Sequence, residues 1–389
     1  MYPSIYFAVK DLLGLDLPFL KMIQSFGFFV AMAFLAAAYV WSLELKRKEQ
    51  LGLVGFTTRK YLKGEKATTN ELLFSGLIGF LIGYKFLFIA MNFSQFTENT
   101  QAFLLSAQGS LIGGILGAGL SAYLKYRDKE KEKLDKPVWV EEKVHAYQQV
   151  GNMTMIAALA GIIGAKIFHN LENWDMFLAD PVDALLSFSG LTMYGGLILG
   201  SISVIYYAHK NNIPVTHLVD SAAPSIMLGY AIGRIGCHVS GDGDWGIANT
   251  APKPGWLSWA PDWVWSYDYP HNVNSEGVPM IDCIGDRYCN HLDPAVFPTP
   301  FYETLMCLAL FGVLWYLRKR ISTPGMLFSV YLVFNGVERF FIEKIRVNTL
   351  YHIGDFAFTQ AELISTILFF IGVIGIIYFK KKEKEKLSV

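Results

Sequence analysis

The chain has 389 residues, 53% of them apolar and 17% charged, with a mean hydropathy of +0.33. So small a charged fraction excludes a disordered chain and argues against a soluble globular one. Lys plus Arg and Asp plus Glu are both 33, which leaves no nucleic-acid footprint in the total, and four cysteines are too few for a disulfide framework.

Crossing a bilayer takes about 20 apolar residues. Nine runs are read in chain order: roughly 19–42, 71–93, 103–124, 151–170, 186–208, 217–237, 301–317, 325–342 and 360–379. The run 151–170 is short, and 217–237 carries Asp220 and Arg234. Positive charge sorts the loops. Lys46, Arg47, Lys48, Arg59, Lys60, Lys63 and Lys66 follow the first run, and seven more lie between Lys125 and Lys143. Lys210, Arg318–Arg320 and Lys380–Lys386 follow on the same side, whereas loops 94–102 and 171–185 hold no Lys or Arg. The bias places the N-terminus outside and the C-terminus in the cytoplasm. Residues 1–18 are mixed and the first run is too long for a signal-peptide core, so no cleavable leader is expected. The expectation is an all-α polytopic membrane protein: one membrane domain over 1–389, about nine transmembrane helices and an external insert at 238–300. The charged stretch Asp128–Lys143 reads as a solvated cytoplasmic linker.

The chain echoes itself. Gly83-Tyr84-Lys85 matches Gly164-Ala165-Lys166, and Gln108-Gly109-Ser110-Leu111 is similar to Tyr194-Gly195-Gly196-Leu197. Hairpin 71–125 therefore resembles 152–210, as a parallel repeat. Glycines at Gly109, Gly113 and Gly117, and at Gly196 and Gly200, recur at a spacing that lets helix backbones approach closely.

Ionisable groups inside spans are costly. Here they are Lys85, Lys166, Asp220, Arg234, Glu303, Glu338, Arg339, Glu343 and Glu362. Buried ion pairs that hold the bundle account for Lys85, Asp220, Glu338 and Glu362. Arg234 and Arg339, near one membrane face, suit a lipid phosphate. Arg339 and Glu343 are one turn apart and share a face. Arg234 opens the run Gly233-Arg234-Ile235-Gly236-Cys237-His238-Val239-Ser240-Gly241-Asp242-Gly243-Asp244-Trp245-Gly246. A glycine-rich turn beside an arginine can wrap an anion with backbone N–H groups. A calcium loop is the competing reading, but the remaining EF-hand ligands are missing at their spacing, and no His/Cys pair has zinc-ligand spacing. The insert holds five of the nine tryptophans, Trp245, Trp256, Trp259, Trp263 and Trp265, which fit an interfacial belt or a groove for an incoming helix. Cys283 and Cys289 lie on the external side and can bridge; Cys237 and Cys307 read as packed thiols.

These motifs resemble the prolipoprotein diacylglyceryl transferase family. Gly233-Arg234-Ile235-Gly236 and Trp245-Gly246 match the ends of its signature stretch. Pro298-Thr299-Pro300-Phe301-Tyr302-Glu303 resembles its His-Pro-Ser/Thr-Gln-Leu-Tyr-Glu. Gly336-Val337-Glu338-Arg339-Phe340-Phe341-Ile342-Glu343 resembles its Gly-x-x-Arg-Phe-x-x-Glu and is followed by Arg346. Leu191–Gly196 stands where the family has Met-Ser-Phe-His-Gly-Gly, Thr359-Gln360 resembles its Gly-Gln, and Phe26-Gly27 its Tyr-Gly. The similarity runs over about 19–37 and 151–380, with hairpin 71–125 additional. The sequence departs from the pattern at Tyr194 for the histidine, Cys237 for an asparagine, Asn335 for a tyrosine and Lys166 for an arginine, with Asp242 or Asp244 for the signature glutamate.

The resemblance implies an enzyme of the bacterial inner membrane with its site toward the outer leaflet. It would move the diacylglyceryl group of phosphatidylglycerol onto the lipobox cysteine of a prolipoprotein signal peptide, without metal or cofactor. Arg234 and Arg339 are expected on the leaving phosphate. Glu303 and Glu343 are expected to orient them or hold the glycerol hydroxyls, and Asp242 or Asp244 to meet the headgroup. Gly195, Gly246 and Lys166 fall at matching positions and are expected to bind substrate. The base is left between Tyr194, neutral at pH 7 and a hydrogen-bond donor, and His238, four residues past Arg234. A secondary transporter or channel and a non-catalytic lipid-binding homologue are the alternatives.

Overall fold

The computed structural model describes residues 1–98, 103–104, 106–187, 190, 192–281, 283, 287–354 and 356–387. Among these, nine helices have 18 residues or more: α1 (Ser25–Gln50), α2 (Thr69–Met91), α3 (Leu111–Lys131), α4 (Val150–Glu172), α5 (Met193–Lys210), α6 (Val215–Ser240), α7 (Thr299–Leu317), α8 (Met326–Glu343) and α9 (Gln360–Leu387). Each coincides with one of the nine apolar runs. Five helices, α1, α2, α4 with its preceding turn, α7 and α9, are long and apolar enough to cross a membrane by length and composition alone. The chain is an all-α polytopic membrane protein.

The helix starts differ from the hydropathy limits for local reasons. Pro18–Met22 forms a 3-10 turn, so α1 waits until Ser25. The Ser110 side chain accepts from Gly113 N and starts α3 there, eight residues later than hydropathy alone suggests. Among the described residues, three two-stranded sheets also occur that apolar runs do not reveal: β1 (Phe56–Lys63) with β2 (Val138–His145), β3 (Val278–Pro279) with β4 (Asn290–His291), and β5 (Leu350–Ile353) with β6 (Phe356–Thr359).

The chain divides into two compact units. One comprises 4–23 and 58–144, with α2, α3 and a short helix Ile5–Leu13. The other comprises 1–3, 24–57 and 145–389 and carries all the candidate site residues.

Hairpins α2/α3 and α4/α5 are built alike. A Cβ at Gly83 or Gly113 would strike the other's carbonyl, and the same holds for Gly164 and Gly195. Ser110 N donates to Tyr84 O at 2.9 Å, and Thr192 N to Ala165 O at 3.1 Å. Lys85 donates to Ser106 O and Oγ, and Lys166 to Ser187 O and Oγ. The structural counterpart of Gly195 is thus Gly113, one turn beyond the Gly109 that sequence similarity pairs with it.

In the larger unit, Ala223, Met227 and Ala231 of α6 pack with Cys307 and Leu314 of α7 and Leu327 of α8. At the far end of α7, fully buried Glu44 binds Arg47 and Arg318, each at 2.5 Å. Asp220 pairs with Lys48 at 3.6 Å and accepts from Gly325 N and Phe328 N, which caps α8. At the opposite end the insert folds over Trp245, Tyr269, Leu292 and Val296, with Met1 packed on them and Tyr2 N bonded to Val239 O. Cys283 and Cys289 are joined as a disulfide.

Candidate active site

Three helix ends and one turn deliver six charged side chains to a common point. On α6, Tyr230 and Arg234 are one turn apart and share a face. Glu303 lies in the first turns of α7, where Thr299 Oγ1 donates to Asp244 O at 2.8 Å and ties the glycine-rich turn to the helix. Arg339 and Glu343 lie on the last turns of α8, and Arg346 follows just beyond. Gly246 explains the close fit of this corner. It bridges to Arg346 in the antiparallel sense, and a Cβ there would press on Ile345 O at 2.5 Å and Phe297 Cβ at 2.8 Å.

Glu303 is the hub and is fully buried. Its Oε1 accepts from Tyr230 Oη at 2.9 Å and Arg339 Nη1 at 3.0 Å; its Oε2 meets Arg234 Nε and Arg346 Nη1, both at 3.2 Å. Asp244 binds Arg234, and Arg346 Nη2 at 2.5 Å. Arg339 Nη2 reaches Glu343 Oε2 at 3.1 Å, and Asn348 Nδ2 donates to Glu343 Oε1 at 2.5 Å. Three guanidiniums face three carboxylates. Burial opposes the Asp244 charge, yet Arg234 and Arg346 hold its carboxyl down at about 2. Asp242 goes the other way: burial first, then the Asp244 charge, pushes it up. Two buried donors remain unspent, Arg339 Nε and Arg346 Nε, which have no hydrogen-bond partner among the described residues. Buried unsatisfied donors are expensive, and an arriving anion would satisfy them.

Of the residues singled out from sequence, the structure brings together Arg234, Arg339, Glu303, Glu343, Asp244 and the Gly246 backbone. Tyr194, near the start of α5, lies within electrostatic reach of Arg339, Glu343 and Arg346. Asp242 shapes the turn by accepting from Asp244 N at 3.4 Å. Cys237 accepts weakly from Arg234 Nη1 at 3.7 Å. The others sit apart. Lys166 is bound to Ser187, and Gly195 is pressed on Gly164. His238 Nδ1 shares a hydrogen bond with Tyr269 Oη at 3.1 Å inside a ring of Trp263, Tyr267, Tyr269 and Phe301. Two members of the cluster were not among the expected site residues. Arg346 had only its place after the Arg-Phe-x-x-Glu motif to mark it, and Tyr230 only its position one turn before Arg234. Among the described residues, Cys237, Asp242 and Asp244 bring ligand atoms within 4.8 Å of one another. Arg234 and Arg346 already occupy the Asp244 carboxylate, so this set offers a cation little free charge.

Fold and site together define a polytopic helical membrane protein with three arginines clamped on buried carboxylates at one end of its larger unit. The chain belongs to the prolipoprotein diacylglyceryl transferase family, whose model matches residues 131–378. The match starts after α2 and most of α3, and does not include the first helix, where sequence similarity was also read. Among similar proteins is a phosphatidylglycerol–prolipoprotein diacylglyceryl transferase of Dehalococcoides mccartyi, 28% identical over 242 residues, 62% of this chain and 80% of the relative. Proteins of the same name from Leptospira interrogans (26% over 283 residues; 61% and 81%) and Corynebacterium glutamicum (27% over 258; 64% and 76%) are also similar.

Proposed function

We propose that the chain transfers the diacylglyceryl group of phosphatidylglycerol to the lipobox cysteine of prolipoproteins, at the outer leaflet of the bacterial inner membrane. The observation that carries this reading is the convergence of Arg234, Arg339 and Arg346 on Glu303 with Arg339 Nε and Arg346 Nε unspent. The carboxylates hold like charges together at a fixed point before substrate arrives, so no reorganisation is needed when phosphate charge develops.

In the reaction the cysteine sulfur attacks the carbon of the diacylated glycerol that bears the phosphate. The C–S bond forms, the C–O bond breaks, and its electron pair stays on the phosphate oxygen. The thiol proton ends on the departing glycerol phosphate. Arg339 and Arg346 take the phosphate oxygens, Arg234 holds the turn through Asp244, and Glu343 with Asn348 keeps the Arg339 plane fixed. Tyr194 faces the cluster as a hydrogen-bond donor to the lipid. His238 is held by Tyr269 within the aromatic ring and packs the insert rather than moving a proton. The orientation reading draws on the placement of Met1 and Tyr2 beside the insert, and of Arg47, Lys48 and Arg318 at the far end of the bundle.

The test uses purified protein, phosphatidylglycerol and a lipobox peptide. A diacylglyceryl mass gain on cysteine is expected, lost with a Cys→Ser peptide and with Arg339→Ala. Lipid binding without mass gain would favour a non-catalytic homologue, and peptide-independent lipid or solute flux would favour transport.

A further inference from the structure

The insert carries a surface that the transfer chemistry does not use. Between Pro254 and Trp265 the chain makes two 3-10 turns, Gly255–Leu257 and Asp262–Val264. Leu257 and Ala260 point inward and are buried, while Trp256 and Trp259 point outward, 73% and 81% exposed. Side-chain bonds to the backbone fix the path of this loop. Lys253 Nζ binds Ala260 O at 2.7 Å and Asp262 Oδ1 at 2.6 Å, Trp265 Nε1 donates to Ala251 O at 2.9 Å, and Asn249 Nδ2 to Trp265 O at 2.7 Å.

The depth of this loop follows from α7. That helix has 19 residues and rises about 28 Å at ~1.5 Å per residue, close to the ~30 Å hydrocarbon core it crosses. Its first turn therefore lies at the boundary between hydrocarbon and headgroups. The loop is fastened to that turn: Tyr302 Oη donates to Val264 O at 2.7 Å, and Trp263 meets Phe301 edge-on with centroids 5.0 Å apart. Glu303 is the next residue, so the arginine cluster and the loop share one level.

We infer that Trp256 and Trp259 form a rigid ledge that seats in the phospholipid headgroup layer and sets the insert at phosphodiester depth over the arginine cluster. Indoles favour that layer because one edge is apolar and the N–H needs a polar partner. The rigid turns remove the ordering cost that a flexible loop would incur on insertion. The ledge follows from the depth of α7 and not from the transfer chemistry, so either reading can fail without the other.

The test is nitroxide power-saturation spectroscopy on the full chain in phosphatidylglycerol-containing bilayers. Trp256→Cys and Trp259→Cys are labelled singly. Cys237 and Cys307 are buried and Cys283–Cys289 is bridged, so background labelling is small. Glu132→Cys, exposed after α3, is the aqueous reference, and Leu305→Cys, exposed on α7, the hydrocarbon reference. Both ledge labels are expected to show oxygen-to-nickel accessibility between the two references, without peptide and unchanged by it. An aqueous profile at both positions would overturn the inference. So would protection that develops only when lipobox peptide is added, which would make the ledge a docking surface for the preprotein.

Discussion

Replacing Glu303 by Gln removes the charge on which three guanidiniums meet. The amide must turn its NH2 toward one pair of donors, either Tyr230 and Arg339 or Arg234 and Arg346, and three arginines then face only Asp244 and Glu343. Breaking one buried ion pair costs about 3–5 kcal/mol. The contacts share one carboxylate and do not add, so about 4 kcal/mol is the expected total. Expressed in the transition state, this is a fall of roughly 10³ in kcat/KM. The control is Glu44→Gln, which strips an equally buried carboxylate from Arg47 and Arg318 at the other end of α7. Both variants should lower the unfolding temperature in detergent, but only Glu303→Gln should lower transfer by the folded protein. Wild-type kcat/KM in Glu303→Gln, or equal losses in the two variants, would refute the assignment of Glu303 as the organiser of an anion site.

Tyr230→Phe removes one hydrogen bond to a charged acceptor, about 1.5–3 kcal/mol, and keeps the ring under Arg234 (5.3 Å); the unfolding temperature should fall, by less than in Glu303→Gln, and kcat should fall about tenfold. His238→Phe keeps the aromatic packing and should retain transfer with an unaltered pH profile, whereas loss of activity together with the acidic limb of the profile would return His238 to the chemistry. Asp244 sits below its ordinary carboxyl value, at about 2. Its contribution to stability is therefore present above the unfolded value of about 4 and is lost as pH falls toward 2. Asp244→Asn should accordingly be less stable than wild type at neutral pH and lose less on acidification, as measured by denaturant titration from pH 6 to 3. Gly164→Val places side-chain atoms on the Gly195 backbone, and overpacking of this kind costs about 1–3 kcal/mol; a thermal shift assay should show the loss, with no change at Gly151, where a Cβ meets nothing.

Much of the site could be read in advance because charge inside an apolar helix is conspicuous. Arg234, Glu303, Arg339 and Glu343 all stand out against lipid-facing neighbours, and α8 puts the last two on one face by spacing alone. Tyr230 did not stand out, since one tyrosine among 20 carries no signal until α7 is seen to bring Glu303 against it. Arg346 lies past the helix end, where no periodicity applies. His238 shows how far a residue's surroundings can lie from it in sequence. Its spacing from Arg234 suggested a base, but its environment is made by Trp263, Tyr267, Tyr269 and Phe301, between 25 and 63 positions downstream. Hydropathy located the nine long helices among the described residues and was blind to their caps. Ser110 and the Pro18 turn moved two helix starts because hydrogen bonds, not apolarity, end a helix.

The central claim is that the arginine cluster takes up the phosphate as it leaves. The most direct measurement follows phosphatidylglycerol with an isotopically labelled headgroup through a single incubation with lipobox peptide, counting glycerol phosphate released and thioether formed. One glycerol phosphate per thioether, with both products lost together in Arg339→Ala, is the predicted result. Thioether without glycerol phosphate, or undiminished release in Arg339→Ala, would contradict it.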